Sequence, residues 1–334
     1  MTKILINLSK VFLAAGLIGY LAHTGRLDFK QLSNLVEKPS LAFLVLSFWI
    51  IGPCALGSLR WKLLLKAHKY EISWPQALKL QLTGFFFNTA MPGAVGGDLV
   101  KVMYVIRDNK HLGKTPALMS IFIDRLLGML GLFVVGLIAA IFNLNLLSSN
   151  SNLLIINGSI LLLTIAILLF FMASLFHYKD DRDPWDRLFR KNIPGFSILL
   201  KIYQNLRAYR FHRDTILSCF LLSLLIQFFS LVTFYSITGA VISGTEPSFS
   251  SIAGIFPAGM LTIALPISPG GLGVGHFAFE KLFSMIDLSQ GANIFNIFLL
   301  SQLSLNLLGA IPYLGLKKNV DQENKRCTEE HNMT

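Results

Sequence analysis

The chain has 334 residues, of which 53% are hydrophobic and only 14% charged, where an ordinary soluble domain carries about 25% charged residues. That balance excludes a pair of soluble domains and points to one membrane-embedded bundle, since several stretches approach the roughly 20 apolar residues that cross a bilayer. The formal charge of +11 then records topology and affinity for anionic headgroups, and implies no nucleic-acid partner.

The first apolar run, 4 to 23, follows Lys3 and contains Lys10. No small-x-small cleavage site leads from it into a soluble chain, so it reads as a retained helix with Lys10 snorkelling to the interface. Five further runs read as spanning helices, at 40 to 65, 117 to 143, 152 to 176, 214 to 242 and 292 to 316. Two regions, 76 to 106 and 251 to 286, are apolar but broken in mid-run by Pro and Gly. Irregular backbone at membrane depth is tolerated only where protein or a watery cavity covers it. Each region therefore reads as a re-entrant hairpin that turns at its Pro/Gly segment, although two full crossings would fit the same pattern.

The two broken regions resemble each other. The segment 90 to 97 (AMPGAVGG) aligns with 264 to 271 (ALPISPGG), sharing Ala-x-Pro-x-x-x-Gly-Gly at an offset of 266 − 92 = 174 residues. The same offset carries 40 to 65 onto 214 to 239, and 117 to 143 onto 291 to 317. Each half then has three spans and one broken hairpin, and an odd number of spans makes the halves inverted, as in transporters with broken helices in matching positions. The expected fold is an all-α polytopic membrane protein of two inverted repeats, with six spanning helices plus two re-entrant hairpins. It forms a single membrane domain over 1 to 317, with half 1 at 1 to 145, half 2 at 150 to 317 and a polar tail at 318 to 334.

Charge asymmetry orients it. With the N-terminus inside, the outward segments hold only Arg26, Lys30, Lys38 and Lys281. Arg125 lies within a span and all other Lys and Arg fall on one side, so both termini are expected in the cytoplasm of a bacterial cell, with the chain in its inner membrane. The linker 177 to 213 joins the halves there, with nine Lys and Arg against Asp180, Asp181, Asp183 and Asp186. Within it Ile198, Leu199, Ile202, Tyr203, Leu206 and Tyr209 form one helical stripe opposite Lys201, Gln204 and Arg207. Two readings are open: a helix lying in the headgroup plane, and a plain connector.

Three constellations carry the polar chemistry. Gly96-Gly97-Asp98 followed by Lys101 places a carboxylate and an ammonium three residues apart after a turn. Asp98 either caps the second hairpin helix or orients Lys101 toward a lipid phosphate held at the helix start. Asp124 and Arg125 lie about eight residues into a span, at a depth of roughly 10 Å. Charges there face the bundle interior and find partners, so an ion pair is one reading and a bidentate phosphate contact by Arg125 the other. In the second hairpin, Ser268-Pro269-Gly270-Gly271-Leu272-Gly273 precedes His276 and Glu280, which at i and i+4 share a face, either as a structural pair or as a proton relay. No strand precedes these glycines and no P-loop lysine follows, which excludes a nucleotide loop.

These residues also carry a family resemblance. Asn88, Pro92, Gly96-Gly97-Asp98 and Lys101, then Asp124-Arg125 with Gly128, then Pro266-x-Ser268-Pro269-Gly270-Gly271-Leu272-Gly273 resemble the flippase-like family built on the transmembrane region of lysylphosphatidylglycerol synthases. The resemblance implies a lipid-translocating membrane domain with substrate at Asn88, Pro92, Gly96, Gly97, Asp98, Lys101, Asp124, Arg125, Ser268, Gly270, Gly271 and Gly273. Two departures bear on the substrate: Lys101 stands where the family pattern has Arg, and Val274-Gly275-His276 where many members have Glu. The aminoacyl-transferring domain is expected to be absent, as only 18 residues, most of them polar, follow Leu316.

The expected function is a non-enzymatic flippase or carrier for an anionic or polyprenyl-phosphate-linked lipid. It needs no cofactor, since Cys54, Cys219 and Cys327 have no metal or redox spacing. Without an ATP site, transport runs downhill or couples to an ion gradient, with Asp98, Asp124, His276 and Glu280 as the titrating candidates. The alternatives are a membrane enzyme acting on lipid phosphates and an accessory subunit that docks a partner enzyme through 177 to 213.

Overall fold

The computed structural model describes residues 38–90, 95–144, 148, 150–176, 183–190, 196–242, 247–264 and 273–315. The expected helix at 4 to 23, the hairpin turns at 91–94 and 265–272, which include Pro92, Ser268, Gly270 and Gly271, and the tail lie outside these. The protein is an all-α polytopic membrane protein. Among the described residues five helices are long and apolar enough to cross a membrane, and they match the five later spans read from hydropathy.

The first of these, α1 (Pro39–Ala67), begins with proline at a position that needs no backbone donor. It passes through a π-helical stretch at Ile50–Leu56 around Pro53, where the proline ring and missing N–H displace the regular ladder. A first pair of shorter helices follows, α2 (Trp74–Ala90) and α3 (Val95–Asp108). Next come the spans α4 (Lys114–Ile141) and α5 (Ser151–Leu175), the linker helices α6 (Pro184–Phe189) and α7 (Phe196–Arg207), and the span α8 (Arg213–Val241). A second short pair, α9 (Phe249–Ala264) and α10 (Val274–Ser284), precedes the last span, α11 (Gly291–Gly315).

The short pairs have 17, 14, 16 and 11 residues, fewer than the roughly 20 needed to cross a hydrocarbon core. Each pair folds back on itself, and their mouths lie at opposite ends of α4. At the first mouth Gln76 Nε2 at the start of α2 donates to Asp108 at the end of α3, 3.2 Å, and Tyr70 OH donates to the carbonyl of Gly113, immediately before α4. At the second, Ser250 in α9 donates to Asn143 just past α4, 3.1 Å, and Asn150 at the cap of α5 donates to the carbonyl of Met285 just past α10, 3.3 Å. Since α4 has 28 residues, about 42 Å of helix separates the two mouths.

Two glycines let the earlier and later helices approach closely. Gly136 of α4 abuts Pro257 of α9, and Gly309 of α11 abuts the Leu82 carbonyl of α2; an added Cβ at either glycine would overlap its neighbour. The centre is an apolar cluster in which Trp49, Phe133, Phe234, Phe256, Phe279, Phe283 and Phe298 are all buried. Trp49 satisfies its indole N–H on Ser301 Oγ at 3.0 Å, as a buried indole must.

The linker differs from its headgroup-plane reading. Tyr203, Leu206 and Tyr209 are buried, and Leu206 and Tyr209 pack with Phe171 of α5 and Leu127 of α4, so most of the apolar stripe is already covered by protein. Arg207 does not face solvent with Gln204. It pairs with buried Asp183 at 2.5 Å, while Tyr203 OH donates to the same carboxylate at 3.0 Å. Asp183 also caps α6 by accepting from the N–H groups of Trp185 and Asp186. The side-chain hydrogen bond from Arg190 holds the Asp186 carboxyl below the usual carboxylate range. That exposed pair adds little stability, so Asp183 is the anchor of the linker.

Because the hairpin mouths sit at opposite ends of α4, single cysteines replacing Lys110 and Asp287, both exposed, should react with a membrane-impermeant maleimide from opposite faces of sealed vesicles, in a background without Cys54, Cys219 and Cys327. Labelling of both from one face would refute the arrangement.

Candidate functional site

The described candidate residues of the first half converge on one charged cluster, built by five helices. From α1 comes Arg60, only 8% exposed. It meets Asp124 of α4 through two hydrogen bonds, Nε to Oδ1 at 2.7 Å and Nη2 to Oδ2 at 2.9 Å, and its Nη1 donates to Ser223 Oγ of α8 at 2.8 Å. This is the bidentate geometry that makes an arginine–carboxylate pair strong. Gly128, one turn beyond Asp124, leaves the room: a Cβ there would sit 3.3 Å from the guanidinium. Its carbonyl accepts from Gln227 of α8 at 3.1 Å.

Asp124 and Arg125 therefore do not pair with each other. Adjacent residues on a helix point about 100° apart, and Arg125 turns instead toward α3. Its Nε and Nη2 both donate to Asp98 Oδ2, at 2.8 and 2.5 Å, while Lys101 Nζ lies 2.9 Å from Asp98 Oδ1. Asp98 sits in the first turn of α3, where its charge suits the helix dipole. Its oxygens receive these two cations, and the N–H of Gly97 is accepted by Asn88 Oδ1 of α2, 2.8 Å. The capping expected of Asp98 is thus performed by Asn88.

Lys101 was expected at the ligand. It is buried, donates to Gln81 Oε1 at 2.9 Å, and stands over the Trp61 ring at 4.8 Å. A lysine so enclosed positions Asp98 instead of reaching outward. Arg125, with 40% of its side chain exposed, is the most accessible cation of the cluster. Gly96 and Gly97 are buried, and Gly97 backs directly onto the Gly84 backbone. Its lack of a side chain lets α2 and α3 touch inside one hairpin.

The second-hairpin candidates lie apart from this cluster. Gly273 is exposed with φ +82, a conformation glycine adopts freely, and it begins α10. His276 accepts from the Gly273 N–H at 3.4 Å and lies 3.5 Å from Asn296 Oδ1. Glu280 accepts the Ala292 N–H at 2.9 Å, capping α11. The two side chains have separate structural partners, and the relay geometry expected from their spacing is not formed.

Arg60, Trp61, Gln81, Ser223 and Gln227 are site residues that sequence reasoning missed. Arg60 had a usable signal, a charge inside an apolar span, but the topology count assigned it to the cytoplasmic side. Gln81 and Ser223 carry no such mark, because a neutral polar residue in an apolar helix is unremarkable until its partner is known.

A family model described as "Lysylphosphatidylglycerol synthase TM region" matches residues 7–308. No curated protein and no solved structure matches the chain.

Removing either member of the buried pair, by Arg60→Ala or Asp124→Ala, should destabilise the folded protein by roughly 3–5 kcal/mol. The double variant should be less destabilised than the sum of the singles. Thermal melting in detergent checks this, and additive losses would show that the two groups are energetically independent.

Proposed function

Because the chain belongs to the family of the lysylphosphatidylglycerol synthase transmembrane region, we propose that it is a carrier that moves an anionic or polyprenyl-phosphate-linked lipid across the membrane without chemistry on it. The observation that carries this reading is the charged cluster itself. Three cations, Arg60, Lys101 and Arg125, face two carboxylates, Asp98 and Asp124, leaving one formal positive charge on rigid helices. Charges at such depth are costly and mark substrate or ion pathways. A phosphate approaching Arg125 would meet a part-exposed guanidinium of the kind that suits it, held in place by Asp98 and Lys101.

The halves are proposed to be inverted repeats. Pro39 and Arg213, and likewise Ala67 and Val241, are 174 positions apart, the offset at which the two broken motifs align. The opposed hairpin mouths support the same reading, as do the two glycine contacts, which fall one position from that offset (136 + 174 = 310 and 257 − 174 = 83), since two-fold related surfaces exchange similar contacts. Alternating access then consists of one half rocking on the other around a site near mid-membrane. The charge asymmetry supports cytoplasmic termini and an inner-membrane location.

Arg125→Ala should lower headgroup affinity about tenfold or more, a loss of roughly 1.4 kcal/mol or more, and reduce translocation in proteoliposomes while leaving a monodisperse, normally melting protein. Gly97→Val should instead lose folded yield, because the added side chain would separate α2 from α3. Wild-type translocation of every phospholipid and polyprenyl phosphate tested by Arg125→Ala would remove this residue from substrate contact and the carrier reading with it.

A further inference from the structure

A second concavity lies farther along the same helices. Beyond the charged cluster, α4 and α8 meet closely where Gly131 abuts Ser223, and then part. The gap between them, closed on its third side by the start of α9, is a groove of about 610 Å³, within the range of roughly 300–1,000 Å³ common for small-molecule sites. Its walls include Val135, Ile138 and Phe142 of α4, Phe228 and Leu231 of α8, and Phe249 of α9. Phe249 is braced edge-on by Tyr235, with ring centroids 5.1 Å apart.

The positions of Asp124, Gly128, Gly131, Val135, Ile138 and Phe142 recur every three or four residues and so make one stripe of α4. The ion pair occupies one end of that stripe, small residues the middle and the groove the other end. Among the described residues the polar lining comes from Ser248 and Ser250, which are 2.9 Å apart, with Ser250 also bonded to Asn143. Among the described residues no charged side chain lines the groove, so its walls suit a hydrocarbon chain better than a phosphate or an ion. It opens sideways: Ile138 and Phe228 are half exposed and Phe142 more so, on helices whose outer faces meet bilayer hydrocarbon.

We propose that this groove holds one acyl chain of a bilayer phospholipid, at a site separate from the charged cluster. Water gains no partners in an apolar recess, and an empty gap would forfeit the contacts of its lining. The apolar chain present at highest concentration along these helices is phospholipid hydrocarbon. A chain seated there fills the wedge between α4, α8 and α9 and so sets the spacing of the second hairpin from the spans beside it. The proposal requires only that the chain resides in a membrane, and is independent of what the charged cluster binds.

Native mass spectrometry of protein purified from phosphatidylglycerol and phosphatidylethanolamine vesicles tests it. The unaltered protein should retain one phospholipid per chain through detergent exchange. Val135→Trp and Ile138→Trp, which fill the groove, should lower that occupancy about tenfold, whereas Leu162→Trp on the exposed face of α5 should leave it unchanged. As a second measurement, a photoreactive benzoylphenylalanine replacing Phe142, an exposed aromatic at the rim of the groove, should capture phospholipid after delipidation and add-back. Equal retention by both groove-filling variants overturns the proposal, as does a retained or captured species that is an isoprenoid or a protein. Arg125→Ala run in parallel should keep its phospholipid, so failure of the carrier reading and failure of the groove reading give different results.

Discussion

The structure depends on how a guanidinium is accommodated inside a membrane bundle. Arg60 is buried where three membrane-spanning helices meet, and there an unpaired cation is expensive. Asp124 supplies both carboxylate oxygens and Ser223 accepts a further bond. One residue thereby ties α1, α4 and α8 together at a fixed height. The rest of the polar arrangement follows: with Asp124 committed to Arg60, the neighbouring Arg125 needs another counter-ion, and Asp98 provides it while also holding Lys101. The outward-facing cation is thus the last member of a chain of pairings that begins at a buried one.

Under the proposed repeat the position equivalent to Arg60 is Phe234, since 234 − 60 = 174, and that equivalent to Asp124 is Phe298, since 298 − 124 = 174. Phe234 and Phe298 also touch, with ring centroids 5.3 Å apart. The same geometric contact is ionic in one half and aromatic in the other. Both solutions join a span from the start of a half to the span at its end, but they differ in what they offer a ligand. The second half completes its contact with Phe256, Phe279 and Phe283 around it and becomes a dry core. Among the described spanning and hairpin helices the buried ion pairs lie in the first half, so under the carrier reading the headgroup site is single even if the framework is double.

Much of this was legible in the sequence. The later five spans and both hairpins follow from hydropathy and from Pro/Gly interruptions, because the bilayer imposes a length on every crossing helix and a penalty on every break. The family was legible from three ordered motifs. Pairing was not: that Asp124 chooses Arg60 over its neighbour Arg125 depends on helix rotation and on the open space at Gly128, neither of which spacing along one chain conveys. The same limit explains Lys101, whose burial comes from Trp61 and Gln81 on other helices. For the linker, periodicity identified the apolar stripe correctly, but periodicity is blind to whether lipid or protein covers it, and here α5 and α4 do.

The distribution of contacts also bears on how a carrier of this design would move. The ion pairs Arg60–Asp124 and Asp98–Lys101–Arg125 each lie wholly within the first half. Among the described residues the contacts across the halves include no ion pair; among them are the shared apolar cluster, glycine against proline, glycine against a backbone carbonyl, Trp49 on Ser301 and Arg60 on Ser223. Small-residue contacts allow close approach without locking side chains together, and a neutral hydroxyl is easier to exchange than a carboxylate. A rocking motion between the halves would therefore break the weaker set and carry the charged cluster intact. That is the requirement for a headgroup site that changes the face it opens to without dismantling itself.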